Sequence, residues 1–500
     1  MKSYFNSAVD SMSINKKRFS HTALICAEIL IASLLISAQN TTAKISIDST
    51  SPNIVQVKGV ISKQSNLNWF FLKSVANADN LGARISDFQL FDERSRVVVV
   101  KKLADGEYLA ASEATTFQYR INLEPLPNAA AKAHVSWISG EQGILMLDDL
   151  LPQFSANNQK AAVKISIELP TDWRIISGEK PAGDNIYAVE NVSGAVFVVG
   201  KNWRETKTTN LNLAISGEWQ FSDAAAAQMA DEIYIEYVKL FGEIPHGKPQ
   251  IILARLPKTA KFGRWEAETR GRTLTIFSAG KPFVSQSIQL LHEQLRHELF
   301  HLWIPNNLNL TGNYGWFYEG FTVYQALRTG VQMNQIRFED FLATLAEAYN
   351  LDGFQTNKIS LLESSKNRWN GANPQIYARG LIVAFLCEIA VLKTGGRRSL
   401  NDVFQKIHRK HRFPNGAADG STAILDVLNE DKSLDSIIEQ YIEGVGKINW
   451  ETDLQAIGIE TTSENSFIKL RVKTKPNGRQ KDLLNKLGYN NWRKSSEKPK

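Results

Sequence analysis

From about Lys44 to Ser216 the chain alternates apolar with polar positions, or runs apolar and β-branched, in short stretches broken by Gly, Asn, Asp and Pro. "NIVQVKGVI", "RVVVVKK", "TFQYRINLEPL", "AAVKISIELP" and "GAVFVVGKNW" are such stretches. A period of two suits strands with one buried face, so the pattern predicts an all-β domain over 44–216, a sandwich. After Trp219 the period lengthens. "DAAAAQMADEIYIEYVKLFG" has apolar residues at helical spacing and stops at Gly242, a residue suited to a helix C-terminus. "QIILARL" and "GRTLTIFSAG" read as strands, and a long helix spans about Ser285 to Trp303. Helices follow in "WFYEGFTVYQALR", "FEDFLATLAEAY", "YARGLIVAFLCEIAVLK", "LNDVFQKIHRK" and "DSIIEQYIEG". Strands followed by many helices predict an α+β fold with a second, mainly helical domain over 217–445. Residues 446–500 read as a short extension, strand-like at "FIKLRVKT" and then basic and mobile.

Composition changes this picture in three places. The net charge of +7 suggests nucleic acid until it is mapped. From Arg471 onward ten Lys or Arg face only Asp482 and Glu497, a surplus of eight, so the body is nearly neutral and no nucleic-acid partner is expected. Lys16, Lys17 and Arg18 precede an apolar run from Ala23 to Ala38 and then small polar residues, the order of an export signal over 1–43. An exported protein is expected, periplasmic or secreted, with a membrane anchor as the alternative if the segment is retained. Two cysteines are present; Cys26 lies in that segment and Cys387 in an apolar helix, so neither a disulfide nor a thiolate metal cluster is expected.

The chemistry concentrates in "RHELFHLW". His297 and His301 are four apart on a helix, about 40° round its axis, so both imidazoles reach one metal ion, with Glu298 beside it to hold and deprotonate a water. His292 is five residues before His297 and points elsewhere. Glu319, eighteen residues after His301 and beyond the turn-rich "IPNNLNLTGNYG", is a candidate third ligand on a second helix; its plainer reading is an acid at a helix start. Two His and one Glu leave a fourth position open, the arrangement of catalytic zinc.

"HELFHLW" followed by "WFYEGFTVY" resembles the gluzincin metallopeptidases, and most the glycyl-aminopeptidase family among them. "IYARGLIVAFLCEIAVLKTGGRRSLNDVFQKI" is similar to a later helix pair of that family, and "IELPTDWRI" to a strand of its N-terminal domain. The resemblance covers roughly 160 to 460 and implies a thermolysin-like catalytic domain over 217–445. It implies Zn2+ held by His297, His301 and Glu319, Glu298 as general base, and Tyr377 as donor to the developing oxyanion. It implies a peptide or protein substrate and an aminopeptidase acting on small N-terminal residues. A non-catalytic peptide-binding module that keeps the fold is the rival from another class. Three departures stand out: a shorter linker between His301 and Glu319, no clear PDZ-like domain, and "GRWEAE" where the family has Gly-Gly-x-Glu-His. Gly263 and Glu266 keep their places there, with Ala267 in the His position. The resemblance makes Glu266 the anchor for a free amino terminus, with Glu268 as rival and Trp265 narrowing the first pocket.

Overall fold

The computed structural model describes residues 41–490, leaving aside 62–66, 128–129, 154–161, 246, 281–282 and 356–357. The export-like segment falls outside the described residues except for its last three, and so does the tail beyond 490.

The N-terminal β-domain is built as expected from alternating strands. Thr41–Ser46 pairs parallel with Val163–Glu168 and antiparallel with Ile54–Val60 at the centre of an eight-stranded sheet. Its inward residues, among them Ile45, Val57, Phe117 and Ile165, form one core with Leu145, Phe197 and Val199 of a four-stranded sheet. That second sheet comprises Trp137–Ser139, Gln142–Met146, Arg174–Ile176 and Val196–Gly200. Its other face is apolar too. Ile144, Met146, Val196 and Val198 pack on Ala214, Ile252, Ala254 and Phe277, which belong to a third sheet. This is why Val196–Gly200 is buried at every position and shows no alternation.

The third sheet has five strands in the order Arg204–Lys207, Asn212–Ile215, Gln250–Arg255, Thr273–Ser278 and Trp265–Arg270. Its first two strands precede the 216/217 division drawn from the sequence pattern, yet they pair here. Trp265–Arg270 is antiparallel to its neighbour and forms the free edge. The helical lobe covers the face opposite the β-domain, with Leu213, Ile251, Leu274 and Ile276 in its core.

In that lobe the helix Asp223–Phe241 starts on a Ser222 cap and ends at Gly242, whose φ of 73° is left-handed. The motif helix, Val284–Phe300, stops short of the predicted Trp303 and turns out at His301. Short and longer helices, Gly315–Tyr318 and Gly320–Gln332, meet at Glu319. The helix Asn373–Lys393 runs through the middle; the segment Arg368–Lys393 is apolar and long enough to cross a membrane, but 89% of its apolar window is buried within the protein. Beyond it the C-terminal extension is packed on the lobe through Lys486. Glu451–Ala456, the hairpin Ile459–Glu464/Phe467–Val472 and the helix Gly478–Lys486 fold back on the lobe. Leu483, Leu484 and Leu487 join its core, and Arg328 donates to the carbonyls of Lys486 and Leu487.

Two glycines set the approach of the helices that matter most. A Cβ on Gly320 would lie 2.6 Å from Gly380 Cα, and one on Gly380 would lie 2.7 Å from Gly320 Cα. Both contacts are backbone to backbone, so nothing flexible can yield. Gly380→Ala should therefore cost about 1–3 kcal/mol, the usual range for overpacking a tight core. A thermal melt of that variant, unchanged from wild type, would show the contact to be slack.

Candidate active site

The close crossing brings Glu319, just before Gly320, against Tyr377, one helical turn before Gly380. The Tyr377 hydroxyl donates to Glu319 Oε2 at 2.7 Å. The same oxygen lies 3.2 Å from His297 Nε2 and 3.7 Å from His301 Nε2, and the two Nε2 atoms are 3.1 Å apart. The three residues form a group whose donor atoms can converge on one ion. A tetrahedral zinc with bonds of about 2.0–2.1 Å has ligand-to-ligand edges of roughly 3.3 Å, so the donors already stand at the spacing zinc needs. His301 Nδ1 is 2.9 Å from the Ile304 carbonyl. An N–H there donates to that carbonyl and leaves the lone pair on Nε2, which is how a metal-binding imidazole is oriented. The residues present fit Zn2+.

Glu298 is buried at the end of the motif helix, and Thr269 on the free edge strand donates to its Oε2 at 2.7 Å and to its carbonyl at 3.0 Å. Burial raises its pKa against the pull of His297 and His301, giving a more basic carboxylate than one in water. Glu319 behaves oppositely: burial would raise its pKa, but the Arg368 guanidinium and the two histidines hold it well below the carboxylate range. Burial and the neighbouring Glu319 charge push the Tyr377 hydroxyl well up, so it stays protonated and a donor. His292 is buried away from this cluster; burial and Arg296 lower it to about 4, the behaviour of a neutral packing residue.

The edge strand sorts the remaining candidates. Successive side chains point to opposite faces. Trp265 and Ala267 pack against the helical core, and Trp265 lies against Trp219, so it does not narrow a pocket beside Glu266. Glu266, Glu268 and Arg270 share the other face. Glu266 pairs with Arg264 at the distant end of the strand, and burial raises its pKa. Gly263 sits in the preceding turn with φ 81° and serves the backbone there. Glu268 is 3.1 Å from His134 Nδ1 and 3.5 Å from Arg270 Nε. Burial opposes its charge, yet those partners and Arg368 keep it ionised with a pKa of about 2. Its charge is felt at Glu298, Tyr318 and Arg368.

His134, Thr269, Tyr318 and Arg368 are the site neighbours that sequence reasoning missed. His134 comes from the β-domain, 5.2 Å between ring centres from Trp369 of the helical lobe. Tyr318 was in plain view, adjacent to Glu319.

No family model matches the chain, and no curated protein matches it by sequence. Solved structures do. An aminopeptidase N family protein from Idiomarina loihiensis is similar at a TM-score of 0.69 with 16% identity, over 84% of this chain and 79% of that one. An M1 zinc metallopeptidase from Deinococcus radiodurans is similar at 0.56 with 12% identity, over 82% and 95% respectively. Yeast LTA4 hydrolase follows at 0.51 with 15% identity, over 88% and 69%. The fold is that of the M1 zinc metallopeptidases. The comparisons support the gluzincin architecture, a β-domain followed by a thermolysin-like helical lobe, and not the glycyl-aminopeptidase family in particular.

Without metal, burial disfavours charge on His301, but Glu319 outweighs it and lifts the pKa to about 9. A metal needs the neutral imidazole, so binding displaces that proton. Apparent zinc affinity should thus rise about tenfold per pH unit from pH 7 to 9 and then level off. In the metal-free protein the sign is reversed: stability from this raised pKa is complete below about 6.5 and is lost as pH climbs through 9. Chelator competition at several pH values measures the first trend; a flat profile would separate His301 from the ion.

Proposed function

We propose that the chain is a zinc-dependent aminopeptidase that hydrolyses unblocked peptides. The observation that carries this reading is the single cluster of His297, His301 and Glu319, with Glu298 and the Tyr377 hydroxyl at the same point. Support comes also from the fold, since the similar structures are described as an aminopeptidase N family protein and zinc metallopeptidases. A binding module without catalysis would have no use for Glu298 or Tyr377, so that alternative is disfavoured.

His297, His301 and Glu319 would hold a zinc ion, which would supply a Lewis acid for the scissile carbonyl and lower the pKa of a water there toward neutrality. Glu298 accepts a proton from the attacking water as its oxygen bonds to the carbonyl carbon. It then delivers that proton to the leaving amine as the C–N bond breaks. Tyr377 donates to the oxygen on which negative charge grows. In the structure that hydroxyl is engaged by Glu319 Oε2.

Glu268, rather than Glu266, anchors the substrate ammonium in this reading. It is the carboxylate of the edge strand whose field reaches the general base, and it stays ionised at every physiological pH. His134 stands beside it with Trp369 against His134, and in this reading the two rings leave room for small N-terminal residues.

Glu298→Gln should keep zinc near wild-type stoichiometry while hydrolysis falls by orders of magnitude, because only the base is lost. Tyr377→Phe should lower kcat more than it raises KM, since its hydrogen bond strengthens in the transition state. Elemental analysis with steady-state kinetics on one preparation reads both, and wild-type turnover in the two variants would refute the mechanism.

Acetylating a peptide's amine removes the partner of a desolvated carboxylate, so free peptides should be cleaved about 100-fold or more faster than acetylated ones. Glu268→Gln should erase most of that difference and Glu266→Gln little of it. Equal cleavage of free and acetylated peptides by the wild type would point to an endopeptidase.

A further inference from the structure

The Glu319 carboxylate divides its two oxygens between two environments. Oε2 faces the histidine nitrogens and Tyr377, while Oε1 receives Arg368 Nη2 at 2.8 Å. The guanidinium is itself held from several sides. Nη1 donates to the Tyr318 hydroxyl at 3.1 Å and Nε to Asn373 Oδ1 at 3.3 Å, and its plane lies 4.3 Å from the centre of the Trp369 ring. Its side chain is 13% exposed. The local backbone explains the placement. Arg368–Ala372 is a kink between two helices, with Asn370 non-helical and Gly371 left-handed at φ 94°, immediately before the helix that carries Tyr377. Such a break, which glycine permits, sets side chains where a continuous helix would not.

We propose that Arg368 is a positioning residue for the metal centre: it fixes Glu319 as a one-oxygen ligand and so sets both coordination number and the geometry of Tyr377. The proposal rests on the metal-site reading above. A carboxylate free to turn presents both oxygens to an ion or swings off it. One whose Oε1 is tied to a forked, planar cation has a single oxygen left to offer. Among the described residues, Arg368 is the arginine or lysine bonded to Glu319, and it holds the oxygen that faces away from the histidines.

The sign of the effect separates this role from that of a nearby charge. A cation a few ångströms from a bound dication opposes it, so deleting a mere neighbour should tighten zinc. Deleting an orienting partner should weaken it, by about 10–100-fold in the usual range for such residues. The experiment uses the full chain, stripped of metal, as wild type, Arg368→Gln and Arg368→Lys. Zinc affinity is measured by competition with a chromophoric chelator, and coordination by the visible spectrum of the Co2+-loaded protein. Arg368→Gln is expected to bind zinc about 10–100-fold more weakly. Its cobalt bands should weaken and shift as Glu319 adopts a two-oxygen mode and coordination number rises. With zinc saturating, kcat should fall while KM stays within about twofold, as expected for an interaction made in the transition state alone. Arg368→Lys should recover part of the affinity, because an ammonium can meet Glu319 or Tyr318 but does not reproduce the fork. Unchanged or tighter zinc binding in a folded Arg368→Gln protein, with a wild-type cobalt spectrum, would overturn the proposal. Should that variant not fold, Arg368→Lys decides on the same two readouts: weaker binding with altered bands supports the role, and wild-type values overturn it. Failure of the wild type to take up zinc or cobalt would instead remove the metal-site reading on which the proposal stands.

Discussion

The contact between Gly320 and Gly380 is the constraint on which the site depends. Two helices approach there so closely that a single methyl group on either would meet the other's backbone. Each helix carries one half of a hydrogen bond within a turn of the crossing, Glu319 on one and Tyr377 on the other. The position of Glu319 relative to the histidines is thus a matter of backbone packing, set before any side chain chooses a rotamer. Core packing of this kind is stiff, which is what a metal site with three fixed donors requires.

Around that crossing the charges are arranged in opposition. Glu319 and Glu268 are kept ionised by arginines and histidines, whereas Glu298, as buried as Glu319 but with a weaker cationic pull on it, is made more basic. The proposed roles of ligand, anchor and base thus fall on three carboxylates whose surroundings differ. Separating acids by environment rather than by residue type is how one cleft supports several roles.

The sequence showed the parts of this site that depend on local periodicity. His297 and His301 are legible because a spacing of four on a helix has one geometric meaning, and Glu319 because a helix start follows a run of turn formers. Arg368 was not legible: its contribution depends on a kink between two helices at a left-handed Gly371, which no apolar period reports. The edge strand shows a subtler limit. Glu266 and Glu268 differ by two residues and share a face, so alternation alone cannot choose between them; their folded neighbours, Arg264 beside the one and His134 from a distant segment beside the other, distinguish them. At the β-domain, alternation identified strands well, but the fully apolar Val196–Gly200 concealed that its sheet is covered on both sides.

That middle sheet has a mechanical consequence. Domains joined by a thin linker and a small polar interface swing freely, and many enzymes use such a hinge to close on substrate. Here the layer between the two lobes is a hydrophobic core in its own right, with Met146 and Val198 packed on Ile252 and Phe277. Opening the lobes would wet a surface made for burial. The spacing between His134 of the β-domain and the motif helix is accordingly held by a packed layer rather than by a hinge.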